Sequence, residues 1–356
     1  MSRMAGKARI VIGGVDTHAD THEAAVLDEH GRLLAVEGFP TTPSGYQQLL
    51  NWMRGFGAVR EVGVESSGAY GAALTRHLVA AGVKVVEVNR PHAHTRNRRG
   101  KNDAIDAEAA ARNVLAGECT AVPKDTIGIV EAIRQLLLAR ASAVHARAAA
   151  LHQLGELVVT SPADVRASLT AKTLAGKASQ ATRWRPDSAR LADPAQAARI
   201  ALRSIGCRIH ALSDEIKLLD AQLSTLVTRA APKTLALLGV GIVHTAQMLI
   251  TAGQNIERLR SENAFAHMCG ADPIEASSGK TERHRLNPGG DRDANRTLYL
   301  IAVVRLRYCD RTRAYAIRRA GDGKSKKEII RCLKRYIARE IYYTLRADLK
   351  NLVSAT

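Results

Sequence analysis

The sequence predicts an α/β domain followed by long coiled-coil helices and a mostly helical C-terminal domain. Three observations predict it. Short apolar runs that read as strands alternate with helical segments through the first 124 residues. Two later stretches carry apolar residues at alternating spacings of three and four. A Gly-x-Gly turn between two helical segments then opens the last part of the chain. The expected divisions are 1–126, 127–230 and 231–356.

Taken in order, Ala8–Val15 is an apolar run that ends at Asp16 and reads as a buried strand. Glu23–Asp28 turns at Glu29-His30-Gly31 into Leu33–Val36, the pattern of a β-hairpin. A helix is expected from about Ser44 to Arg54, with Thr41, Thr42 and Ser44 as possible caps. Glu61–Val64 reads as a strand, Ala69–Ala81 as a helix and Lys84–Val88 as another strand. A basic stretch leads into an Ala-rich helix that opens near Asp103. Hairpin strands followed by strands alternating with helices indicate a mixed sheet covered by helices.

Residues 127–158 read as one long helix, with Leu137, Ala141, Val144, Ala148 and Leu151 on one face. A second long helix shows the pattern more cleanly at Ile205, Ile209, Leu212, Ile216, Leu219, Leu223 and Leu226. These seams can pair with each other, with a second subunit, or against a core. Ser161–Pro194 between them, richer in Ser, Thr, Pro and Arg, reads as a connecting loop or insertion. Leu237–Val243 fits a helix-hairpin-helix-like turn, in which Gly239 and Gly241 would offer backbone N–H groups to a DNA phosphate. A plain interhelical turn fits the same residues.

Charge is distributed unevenly along the 356 residues, whose net value is +18. Residues 231–356 hold 23 Lys and Arg against 12 Asp and Glu, a net +11, whereas residues 1–124 reach only +2. So one-sided an excess points to a polyanionic partner. No apolar run approaches the ~18–20 residues that span a bilayer, so no membrane partner is expected. Five scattered cysteines (Cys119, Cys207, Cys269, Cys309, Cys332) without CxxC spacing argue for a reducing compartment and against a zinc site or disulfide framework. No secretion signal is visible near the start, and a cytoplasmic location is expected.

Four acids carry the candidate chemistry. Asp16 and Glu65 each end an apolar run, and Asp103 and Asp106 share one helix face with Cβ atoms roughly 5–6 Å apart. Convergent carboxylates repel one another unless a cation neutralises them, and hard oxygen ligands suit Mg²⁺ or Mn²⁺. Two such ions about 3.5–4 Å apart serve in-line displacement at phosphorus. Singly, each acid also fits a helix cap or a solvated charge. Arg96, Arg98, Arg99 and Lys101, just before the acid pair, suit a phosphate backbone. In the last third, Ser277-Ser278-Gly279 is flanked by Lys280, Arg283, Arg285, Arg292 and Arg296. A serine hydroxyl in such surroundings can attack a phosphodiester that the arginines hold, although the same residues also fit a flexible turn in a basic loop.

Several motifs in one order resemble the DEDD transposases of the IS110 family of bacterial insertion sequences, which are related to Piv-type DNA invertases. They are Val15-Asp16-Thr17-His18, Val64-Glu65-Ser66-Ser67-Gly68 and Lys101-Asn102-Asp103-Ala104-Ile105-Asp106-Ala107. Gly239-Val240-Gly241, Ser278-Gly279-Lys280 and Gly289-Gly290-Asp291-Arg292 with Asn295-Arg296 follow. The resemblance implies a RuvC-like, RNase H-like N-terminal domain whose acids Asp16, Glu65, Asp103 and Asp106 bind divalent metal. It also implies a C-terminal domain that contributes a serine nucleophile, Ser278, with Ser277 as its close competitor. The implied partners are donor and target DNA, a bridge RNA that pairs with both, and further copies of the chain as a dimer or dimer of dimers. The location is then bacterial, cytoplasmic and nucleoid-associated. Two other readings stay open: a RuvC-like junction nuclease using metal-activated water, and a non-catalytic nucleic-acid-binding protein.

Overall fold

In the computed structural model, which describes residues 9–88, 102–279 and 284–354, the strands of the N-terminal region form one five-stranded mixed sheet. Its order is β3-β2-β1-β4-β5, with β1 at Ile10–Thr17, β2 at Thr21–Asp28, β3 at Leu33–Pro40, β4 at Ala58–Glu65 and β5 at Lys84–Val88. The first three strands pair antiparallel as a meander, whereas β4 lies parallel to β1 and β5 parallel to β4. A two-residue side-chain period assigns the faces. Val11, Val15, Val62 and Val64 pack on one side with Leu49, Leu50 and Met53 of α1 (Pro43–Phe56) and Leu74 and Leu78 of α2 (Ala72–Ala80). Ile12, Leu27, Val86 and Val88 pack on the other against Ala110, Ala111 and Val114 of α3 (Asp103–Leu115).

Local chemistry sets the helix starts. Thr42 caps α1 by accepting from the Gly45 N–H, with Pro43 following as the first helical residue. Asn102 caps α3 by accepting from the Ala104 N–H, so the cap is not Asp103. Asp103 and Asp106 occupy the first turn instead, where the helix dipole favours negative charge.

The chain forms two compact units, the first being residues 1–127 with 252–260 and the second residues 128–251 with 261–356. The distant segment is bound to the first unit by backbone-directed bonds. Asn255 accepts from the Asp125 N–H at 3.0 Å and donates to the Pro123 carbonyl at 3.0 Å. Arg258 donates to the Val122 carbonyl at 3.1 Å, and Arg260 to that of Thr120 at 2.7 Å.

In the second unit, α4 (Gly128–Thr160) packs along α7 (Pro194–Ala230). Every residue of the α7 seam read from the sequence is buried or half-buried. The seam predicted on α4 is displaced: Ala141 and Ala148 are exposed, while Ala143, Ala150, Leu154 and Val158 are buried. Alanine is small enough to sit on either face of an Ala-rich helix, so its spacing discriminates poorly. Because α7 faces α4 of the same chain, the seam is satisfied internally.

Ser161–Pro194 is part helix rather than a single loop. It contains α5 (Ala163–Ala167), α6 (Leu174–Thr182) and a 3-10 turn at Ser188–Arg190. Its polar composition belongs partly to caps, with Thr173 accepting from the Gly176 N–H. Four of its apolar residues, Val165, Leu169, Ala178 and Ala181, are buried with Leu202 and Ile209 of α7.

The rest of the second unit is helical around α8 (Pro232–Leu235), α9 (Ile242–Ala252), α10 (Glu262–Met268), α11 (Arg292–Tyr308), α12 (Asp310–Gly321) and α13 (Lys326–Ser354). A two-stranded ribbon pairs β6 (Ile274–Glu275) with β7 (His284–Arg285). Asp348 of α13 is 1% exposed and accepts from the N–H groups of Lys233 and Thr234 and the Thr234 hydroxyl. That carboxylate caps α8 and ties it to α13. The first helix of the Gly-x-Gly turn is therefore one turn long, and Gly239 occupies the left-handed region at φ +79°. Among the described residues, no helix is long and apolar enough to cross a membrane.

Candidate active site

Adjacent strand ends and one helix start build the acidic site. Val15 and Val64 are register partners on the parallel strands β1 and β4, so Asp16 and Glu65 follow at the same level. Both lie on the α3 side, as the two-residue period from Gly14 and Gly63 requires. A Cβ on Gly14 would stand 2.3 Å from the Ala107 carbonyl oxygen and 2.3 Å from the Ala111 nitrogen. Backbone contact that close brings the start of α3 down onto β1, with Asp103 and Asp106 beside Asp16. Thr17 donates its hydroxyl to the Glu65 carbonyl at 2.9 Å, joining the two strand ends. Ser66 then turns β4 sharply, with a left-handed φ of 53°.

Asp16, Glu65 and Asp106 are each 7% exposed. Burial pushes the Asp16 carboxyl above the usual carboxylate range; His18 opposes that shift, while the Asp106 and Asp103 charges reinforce it. His18 Nε2 lies 3.2 Å from Asp16 Oδ2 and 3.4 Å from Asp103 Oδ1. One ligand atom each from Asp16, His18 and Asp103 all fall within 4.8 Å of one another, so this group could hold a metal ion. Two carboxylate oxygens and an imidazole nitrogen are a chemically competent donor set for a divalent cation.

The structure therefore places Asp16, Asp103 and Asp106 together and sets Glu65 on the neighbouring strand end. Sequence reasoning did not assign His18 a role. Its signal lay two residues beyond Asp16, the spacing that returns a side chain to the same side of a strand. The predicted cations Arg96, Arg98, Arg99 and Lys101 lie outside the described residues, as do Lys280 and Arg283.

Ser277 and Ser278 belong to the second unit, where both are exposed just after β6, followed by Gly279 at φ +57°. Upstream of β6, the turn at 267–270 is braced by the Gly-Gly-Asp-Arg…Asn-Arg motif. A Cβ on Gly290 would meet the Gly270 nitrogen at 2.6 Å, leaving room for no side chain. Asp291 caps α11 by accepting from Asp293 and Ala294, and it also accepts the Thr251 hydroxyl at 2.7 Å. Asn295 donates to the carbonyls of Cys269 and Gly270. Arg285, Arg292 and Arg296 remain exposed around this framework. Gly241, also exposed, precedes α9 and accepts the Thr245 N–H at 2.9 Å.

Two family models match the chain, and both are of transposases, enzymes that cut and rejoin DNA. Residues 13–161 match the DEDD transposase model of the IS110 type, and residues 234–316 match the model described as Transposase IS116/IS110/IS902 family. The chain belongs to the IS110 family of transposases. Members of the DEDD type use a divalent metal ion, in keeping with the acidic cluster. No curated protein is similar enough in sequence to count as a match.

Proposed function

We propose that this protein is a DNA recombinase that cuts and rejoins strands during transposition of its own element, guided by a bridge RNA. The observation that carries the reading is the cluster of Asp16, His18 and Asp103, with Asp106 beside it. The sheet order and the position of α3 support a RuvC-like, RNase H-like assignment of the first unit. Asp16, Glu65, Asp103 and Asp106 would hold Mg²⁺ or Mn²⁺, and the His18 nitrogen, as a further donor beside Asp16 and Asp103, would favour Mn²⁺. A bound divalent ion supplies Lewis-acid stabilisation of charge on the attacking and leaving oxygens.

Ser278 acts as the nucleophile. Its Oγ forms a bond to phosphorus and gives up its proton, and the bond from phosphorus to the leaving sugar oxygen breaks, that oxygen taking a proton. The phosphoserine link conserves the phosphodiester for rejoining, when a sugar hydroxyl displaces the serine, so no ATP is needed. Arg285, Arg292 and Arg296 bind the phosphates, and donor and target DNA meet in an assembly of at least two copies of the chain.

Incubation of the protein with cognate DNA in Mn²⁺ should yield a covalent protein–DNA adduct. Ser278→Ala should bind DNA but form none, Ser277→Ala should be milder, and Asp16→Asn should abolish strand cleavage in a folded protein. The opposite pattern for the two serines moves the nucleophile by one residue. Normal strand exchange by the double serine variant would leave metal-activated water as the attacking group.

A further inference from the structure

Aromatic residues are scarce in this chain, with 8 tyrosines, 3 phenylalanines and 2 tryptophans among 356 residues. Six of the tyrosines nevertheless fall between positions 299 and 343, within the most basic third of the sequence. Tyrosine is usually concentrated in a core or at a recognition surface. Here Tyr336 and Tyr343 are more than half exposed, at 53% and 55%.

A cleft of about 1020 Å³ lies wholly within the second unit, between the ribbon segment, α11, α12 and α13. Its wall includes Tyr315 and Tyr336, whose rings meet edge to face at 5.6 Å and 82°. The Arg318 guanidinium sits 5.5 Å above the centre of the Tyr315 ring. Burial, followed by a hydrogen bond with Cys332, pushes the Tyr315 phenol up to about 12, so it adds no negative charge at neutral pH.

The electrostatics of the wall are one-sided. Its acids are already engaged: Glu262 pairs with Arg339 at 2.9 Å, Asp272 lies 3.7 Å from Arg335, and Glu328 accepts from the Ser325 N–H and hydroxyl. Among the described residues, Arg285, Arg292 and Arg318 of the wall form no ion pair, while Lys324 and Arg331 both lie in the field of the single Glu328 carboxylate, which the Ser325 hydrogen bonds first and these two cations after them hold below the usual carboxylate range. Cations in excess of carboxylates, beside one exposed and one half-buried aromatic ring, are the chemistry of single-strand binding, with phosphates on the cations and bases on the rings. A duplex hides its base faces within its own stack, and a cavity of this volume is of ligand-pocket size rather than a trough for a duplex.

We propose that the tyrosine-edged basic cleft of the second unit binds a short single-stranded nucleic-acid segment, with Tyr336 and Tyr315 as the stacking platform and Arg318, Lys324 and Arg331 holding the phosphates. It deepens the transposase reading by assigning that unit a single-strand site, and it rests on that reading only for the presence of nucleic acid. The site needs neither the acids nor the serine.

Fluorescence anisotropy of the full-length protein with short labelled oligothymidylate and oligouridylate, in EDTA, tests it. The wild type should bind a single strand and resist competition by duplex of equal length, and the preferred sugar identifies a DNA or an RNA strand. Tyr336→Ala should weaken binding about ten-fold or more, while Tyr336→Phe, which keeps the ring, should stay near wild type. Arg318→Ala with Arg331→Ala should weaken it further and reduce its salt dependence. Arg208→Ala, an exposed charge on α7, should have little effect. If a variant loses its helical circular dichroism, the Tyr336→Ala to Tyr336→Phe comparison decides the matter among the folded proteins. Equal losses for Arg208→Ala and Arg331→Ala, unchanged binding by Tyr336→Ala, or equal competition by duplex would overturn the proposal. Loss of oligonucleotide binding in Asp16→Asn would also overturn it, placing the strand at the acidic site while leaving the transposase reading intact.

Discussion

His22 on β2 is fully buried and stacks on Tyr46 at 5.7 Å, which makes it a sensitive reporter of acid. Burial first, and the nearby His18 charge less strongly, hold its imidazole below the usual value, and neither ring nitrogen has a hydrogen-bond partner among the described residues. As pH falls below about 6.5, the unfolded chain takes up a proton that the folded chain resists. The stability linked to His22 is thus present above that pH and is lost as pH drops towards the lower folded value. Thermal melts between about pH 7 and pH 5 should show a steeper decline for the wild type than for His22→Leu. Equal slopes would remove this role. His18 shows the opposite use of an imidazole: half exposed and between two carboxylates, it is placed to interact with charge. Its residue type was plain in the sequence, but its contact with Asp103 depends on a fold that closes 85 positions of chain.

Elements meet where glycine permits it. Gly14 on β1 and Gly63 on β4 both face α3, and Gly14 alone allows a carbonyl and an amide of the helix to touch the strand. Gly14→Ala forces α3 away from the sheet, at a cost of about 3 kcal/mol. The same shift separates Asp103 and Asp106 from Asp16, so calorimetry should find weaker Mn²⁺ binding beyond the loss of stability. Undiminished metal affinity in a folded Gly14→Ala protein would detach the helix position from the site. The α7 seam makes a different prediction. Ile216 and Leu219 are buried in the intact chain, so replacing both with Asp should cost about 3 kcal/mol or more at each position and melt the second unit. A folded, smaller species in sedimentation would instead assign the seam to contacts between copies.

Charge acts on the whole molecule. The +11 carried by residues 231–356 is the excess left after the 12 acids there are set against 23 arginines and lysines. If roughly 6–10 phosphates are contacted, DNA affinity should fall by about 10³–10⁵ between 50 and 200 mM salt. A nearly flat response in an electrophoretic or anisotropy titration would contradict an electrostatic mode of binding. Chain connectivity also departs from a simple succession of domains. Residues 252–260 belong to the first unit although they follow α9 of the second, because Asn255, Arg258 and Arg260 satisfy carbonyls at 120–123. Polar side chains reaching backbone groups leave no periodic signature, and nothing in the linear order announced this return.

The sequence by itself determined the strands of the N-terminal sheet, the existence of both long helices, the concentration of positive charge and the four acids that could form a site. Those features rest on local rules: apolar periodicity, capping chemistry and composition. Tertiary structure decided which face of α4 is buried, because alanine spacing is ambiguous. It also decided that Ser161–Pro194 contains two short helices, which a handful of buried apolar side chains and caps hold in place despite its polar composition. Most of all, it decided the company of Asp16. Strand register sets Glu65 beside it, His18 returns to it from the strand end, and a missing Cβ at Gly14 lets α3 deliver Asp103 and Asp106. Such convergence depends on contacts between residues far apart in the chain, whose distances only packing can set.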